Sequence, residues 1–118
     1  MVALSEQSEQ SSLVRHLSRC GVCYAAVPNG GKRDKRTAGA LASSGVQKGV
    51  PDLLIFDAPP SQPQKVGVAI EMKRVEGGRT SASQRRWLRS LQARGWVAFV
   101  ANGSADALRH LRELGFDV

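Results

Sequence analysis

Residues 66–73 constrain this chain more than any other stretch. Their apolar, β-branched character reads as a strand, and alternation then points Val68, Ile70 and Met72 one way and Ala69, Glu71 and Lys73 the other. One face is wholly apolar, whereas the other carries an acid and a base two residues apart. A core strand normally excludes such charges, because burying them is costly unless they pair or hold a metal. The same eight residues therefore mark a core strand and a place to look for chemistry.

The neighbouring segments supply a frame for that strand. Residues 53–56 form a short apolar run between Pro51 and the turn residues Asp57, Pro59 and Pro60, which predicts a buried strand joined to 66–73 by a hairpin loop and antiparallel to it. Leu13, Val14 and Leu17 suit an amphipathic helix over 6–19 stopped by Gly21, and residues 22–27 read as a strand after it. Gln84, Trp87, Leu88 and Leu91 make the stripe of a helix over 81–94, with Trp87, like Tyr24, expected in the core. Residues 96–101 read as a further strand. Leu108, Leu111 and Leu114 predict a last helix from Ser104, itself the expected N-cap. Residues 28–49 read as one long connection, a feature often functional in a compact domain. The expectation is a single α/β domain over 1–118 in the order αβββαβα, without internal repeats.

Composition narrows the partner. Among 118 residues, 17 Lys and Arg against 10 Asp and Glu leave a net charge of +7, which favours a polyanion, nucleic acid first. The cluster Lys32, Arg33, Lys35 and Arg36 is expected to contact phosphates, with Lys48 on the same backbone; Arg79, Arg85 and Arg86 flank the start of the 81–94 helix. With few aromatic residues, backbone and shape readout is expected rather than base-specific contact. No stretch suits a membrane span or signal peptide, so a cytoplasmic protein is expected, in a bacterium or phage-infected cell. Cys20 and Cys23 form a CxxC, but His16 and His110 do not complete a zinc-like cluster, and the pair reads better as a helix end running into a strand.

A hairpin between 53–56 and 66–73 would bring the Asp52 carboxylate near Glu71. Two carboxylates at close range repel, and a hard divalent cation such as Mg2+ relieves that repulsion through oxygen ligands. Such an ion would polarise a phosphodiester and activate water, with Lys73 orienting the water or steadying developing charge. Taken singly, Asp52 fits a turn residue after proline, and Glu71 and Lys73 fit a solvated edge strand. Their combination with the basic charge favours a site for phosphodiester hydrolysis.

These residues also carry a resemblance. Gly49-Val50-Pro51-Asp52 followed by Ile70-Glu71-Met72-Lys73 looks like the signature of PD-(D/E)xK nucleases. With Pro28-Asn29-Gly30-Gly31-Lys32-Arg33 before it and Gly78 through Ser83-Gln84 after it, the chain resembles the VRR-NUC (virus-type replication-repair nuclease) family over nearly its whole length. The resemblance implies a restriction-endonuclease-like core with a mixed central sheet flanked by helices, and a DNA endonuclease dependent on Mg2+ or Mn2+. It implies branched DNA as substrate, since small stand-alone members resemble Holliday junction resolvases acting as homodimers. A monomeric flap or nicking nuclease, and a non-catalytic nucleic-acid-binding module, are the alternatives. The implied metal set is Asp52, Glu71 and Met72 with a glutamate of the first helix, Glu6 or alternatively Glu9. The implied catalytic set is Asp52, Glu71, Lys73 and Gln84. Gln84 is equally read as the closing residue of a capping box, Ser81-Ala82-Ser83-Gln84.

Overall fold

The computed structural model describes residues 4–28 and 35–118, with the side chains of Lys35 and Arg36 outside the description. Helix α1 (Glu6–Arg19) begins at Ser5, whose hydroxyl accepts from the Ser8 amide, and carries its acids in the first turn, where the helix dipole favours them. Past Gly21, whose φ of 70° suits a residue without Cβ, the chain enters strand β1 (Tyr24–Ala26). Strands β2 (Leu53–Ile55) and β3 (Val68–Lys73) form the expected hairpin, and helix α3 (Ala82–Ala93) leads to strand β4 (Val97–Asn102) and helix α4 (Ser104–Glu113).

The sheet runs β1-β2-β3-β4. The first three strands are antiparallel neighbours, and β4 lies parallel to β3, as a β3-α3-β4 crossover requires. Helices α1 and α4 pack Leu13, Leu17, Ala107 and Leu111 onto the face carrying Val68, Ile70 and Met72. On the other face Leu88 of α3 packs on Ala69 and Ala98, small residues that admit a helix close to the sheet. Every residue of β3 is buried, so Glu71 and Lys73 sit inside the molecule, 1% and 6% exposed.

Three expectations need correction. The connection 28–49 contains a helix, α2 (Lys35–Ser43), giving the order αβαββαβα. From Thr37 to Ser43 only Leu41 is even half-buried, so no apolar stripe announces this helix. Ser104 is the first residue of α4 and not its cap; the cap position is Gly103, without a side-chain bond. The exposed amide end is served instead from across the molecule, where Glu9 Oε1 accepts from the Ser104 amide at 2.9 Å. Gly103 has φ 99°, and a Cβ there would come within 2.8 Å of Val75. Trp87 lies outside both core clusters, half-buried, its indole Nε1 donating to the Lys48 carbonyl at 3.1 Å; Tyr24 does pack against the core.

Cys20 caps α1 and Cys23 precedes β1; both thiols are free and exposed. No helix among the described residues is long and apolar enough to cross a membrane.

Candidate metal centre

Asp52 stands one residue before β2, at the end of a loop held firmly in place. Gly49, with φ 92°, presses on the start of α3, where a Cβ would meet the Ser83 backbone at 2.7 Å. The Asp52 carbonyl accepts from the Val27 amide, and its side-chain Oδ2 accepts from the Met72 amide at 2.8 Å. That carboxylate thus continues the β2–β3 ladder beyond the first residue of β2, Leu53, fixing the side chain where β3 turns Glu71 toward it.

Glu71 is nearly inaccessible, and no described donor makes a hydrogen bond to either of its oxygens. Lys73 Nζ lies 3.6 Å from Glu71 Oε2 and donates instead to Gln84 Oε1 at 3.1 Å. Burial first, and then the facing Asp52 carboxyl group, push the Glu71 carboxyl up to about 9, against the opposing pull of Lys73. Glu6 joins from α1. It too is raised, chiefly by burial, with Lys73 working against this and Asp52 adding to it.

Ligand oxygens of Glu6, Asp52 and Glu71 all lie within 4.8 Å of one another. Opposite ligands of an octahedral Mg2+ stand about 4 Å apart, at roughly 2.1 Å from the ion. Three hard oxygen donors at that spacing, two of their oxygens buried without a hydrogen bond, fit a divalent cation of the Mg2+ or Mn2+ class. The same donors are a poor match for a soft metal.

The other expected residues divide. Glu9 is directed away from the cluster, occupied at the α4 terminus. The Met72 side chain is fully buried in the core, where its thioether cannot reach the carboxylates. Its carbonyl, on the same strand edge as the amide that meets Asp52, is the atom of this residue facing the site. Gln84 closes the capping box and also reaches Lys73. Its Oε1 accepts from the Ser81 amide at 2.8 Å to close the capping box, and the same atom receives the Lys73 ammonium. Lys48 is exposed beside the cluster, sharing a hollow with Glu6, Asp52 and Gln84. Lys32 and Arg33 lie outside the described residues; Lys35 and Arg36 open α2. The tie between Trp87 and Lys48 escaped sequence reasoning, because its partners stand 39 positions apart and neither belongs to a motif.

Comparison with known proteins relates the chain to one domain family. The sequence model of the VRR-NUC domain matches residues 4–105, which include all the residues just described around the carboxylates. No curated protein matches the chain. A solved structure described as a VRR_NUC domain protein superposes with a TM-score of 0.81 at 21% identity, over 97% of this chain and 90% of that one, a likeness of fold.

Proposed function

Starting from the membership of this chain in the VRR-NUC domain family, and so from a nuclease domain of the PD-(D/E)xK type, we propose that it is a divalent-metal-dependent DNA endonuclease. Its preferred substrate is branched DNA, Holliday junctions in particular, cut by a homodimer. The observation that carries the metal-dependent reading is the convergence of Glu6, Asp52 and Glu71 beside Lys73.

Asp52 and Glu71 would hold Mg2+ or Mn2+, joined by Glu6 from α1 and the main chain of Met72. When bound, such an ion supplies Lewis-acid polarisation of a phosphodiester and lowers the pKa of water. The remaining work falls to the chain itself. Gln84 accepts one Lys73 N–H and leaves the rest of the ammonium free to orient a water or to meet negative charge developing on the phosphate. The rigid β2–β3 ladder keeps Asp52 and Glu71 in position, so little reorganisation accompanies catalysis.

One centre cuts one strand, and paired cuts in a four-way junction need two copies related by a two-fold axis. The expected result is symmetric paired cleavage of an immobile four-way junction with Mg2+ or Mn2+, exceeding that of duplex and 5′-flap controls, by a species sedimenting as a dimer. Preference for the flap, or a catalytic monomer, would replace the resolvase with a flap or nicking nuclease. Absence of metal-dependent cutting on every substrate would leave a binding module.

The two first-turn glutamates are expected to separate cleanly. Glu6→Gln should weaken the apparent Mg2+ affinity about tenfold, comparable to losing a supporting group in a metal site, with little change in metal-free stability. Glu9→Ala should cost about 1–2 kcal/mol, as loss of a helix cap does, and leave the Mg2+ response intact. Thermal melts across a Mg2+ titration distinguish them, and the reversed pattern would move the ligand to Glu9.

A further inference from the structure

The carboxylates do not sit in a closed pit. The hollow holding Glu6, Asp52 and Gln84 shares Lys48 and Ser83 with a second hollow running outward along α3, lined also by Gln47, Arg86 and Trp87. On its other side it shares Glu6 and Asp52 with a groove between α1 and β1, lined by Gln7, Gln10, Ser11 and Arg15. The three hollows make one trough with the carboxylates midway along it. Its arms differ chemically: the α3 arm brings Lys48 and Arg86 together, and the α1 arm sets those four polar side chains against the apolar Val14, Ala26, Val27 and Pro28.

The charge on α3 lacks an internal partner. Arg85, Arg86 and Arg89 stand at helical spacings where like charges repel, and no acid occupies the first turn, where cations also oppose the helix dipole. Every ion pair among the described residues lies elsewhere. Helix α4 shows the contrast, with Arg109 bonded to both Asp106 and Glu113. The Arg85 guanidinium turns back to the Thr80 carbonyl, whereas among the described residues Arg86 has no hydrogen-bond or ion-pair partner. Lys48 is meanwhile fixed at its main chain, its carbonyl held by Trp87 and the next residue, Gly49, pressed on Ser83.

We propose that one nucleic-acid strand lies along this trough across the carboxylates, and that Lys48 and Arg86 hold its backbone phosphates on the α3 side. This rests on the nuclease reading for the strand's purpose, but the phosphate contacts are measurable without cleavage. Two cations at the mouth of a site that gathers three carboxylates also offset the repulsion that the acidic centre would impose on an approaching phosphate.

Binding of fluorescent four-way-junction DNA with Ca2+ in place of Mg2+, followed across a NaCl series, tests the assignment for Lys48→Gln, Arg86→Gln and Arg86→Glu. Arg19→Gln, the same loss of charge at the far end of α1, is the control. Each neutral variant should raise Kd about fivefold and flatten the log Kd against log salt slope by about 1, the signature of one lost phosphate contact. Arg86→Glu should exceed both. In cleavage the variants should raise KM and leave kcat within about twofold, since the lost contact serves ground and transition states alike. Kd and salt slope indistinguishable from those of Arg19→Gln would overturn the proposal, even if the wild type cuts DNA. A wild type that cuts nothing, yet shows the predicted salt slopes in these variants, would instead refute the nuclease reading and keep the strand path.

Discussion

Asp52→Asn is expected to reduce metal-dependent cleavage by at least about 10²- to 10³-fold, beyond the roughly 10- to 100-fold typical of groups that only support a ligand, with the fold intact. Asp52 does two things that a single alanine substitution would confuse. Its Oδ2 satisfies the Met72 amide at 2.8 Å, and its charge belongs to the three-carboxylate cluster. Asparagine keeps an oxygen for Met72 and places an NH2 group where an anionic ligand had been, close to Glu71. Alanine removes both functions, and the orphaned amide adds about 1–3 kcal/mol of destabilisation. Cleavage lost in both variants, with the melting temperature lowered only in Asp52→Ala, would assign the charge to chemistry and the hydrogen bond to structure. Near-wild-type cleavage by a folded Asp52→Asn would remove Asp52 from the catalytic set.

The second large effect is expected at Glu71, with opposite signs for activity and stability. Glu71→Gln should abolish cleavage to a similar degree and, in EDTA above neutral pH, melt higher than the wild type. A glutamate ordinarily titrates near 4.5, and in this fold Glu71 is pushed up to about 9. Between those values the unfolded chain releases a proton that the folded chain keeps. Wild-type stability therefore falls as pH rises through that window, by up to about 1.4 kcal/mol per pH unit. Glutamine has no proton to lose, so its advantage should grow from pH 5 to 8 and vanish below about 4.5. For a domain of this size it should exceed about 5 °C in Tm at pH 8. Added Mg2+ should narrow the gap by stabilising the wild type alone, since ligand binding to the folded state raises apparent stability. A Glu71→Gln variant no more stable than the wild type at pH 8 without metal would refute the strained, buried carboxylate.

The sequence by itself determined which residues share a face. Alternation in 68–73 put Glu71 and Lys73 together and opposite Val68, Ile70 and Met72, and the helical stripes of Leu13 and Leu17, and of Leu88 and Leu91, marked the sides that pack. These are local consequences of fixed periods, 2 for a strand and 3.6 for a helix, and need no knowledge of the rest of the chain. Helix α2 escaped the same reasoning because Leu41 is the one large apolar residue within it, and the small Ala38, Gly39, Ala40 and Ala42 around it mark no packed side. The rest was decided by tertiary structure, because distances between remote segments depend on how whole elements pack. Glu6 and Glu9 occupy the same helical turn, and local sequence cannot choose between them. Their different placements follow from where the end of α4 docks on α1, giving Glu9 the Ser104 amide and leaving Glu6 beside Asp52. Packing likewise made Asp52 an extension of the β-ladder and drew Trp87 out of the expected core to hold the Lys48 loop. The ingredients of the site are written in short motifs, but its charge balance exists only once α1, β2, β3 and α3 meet, because burial and proximity are properties of the assembled fold.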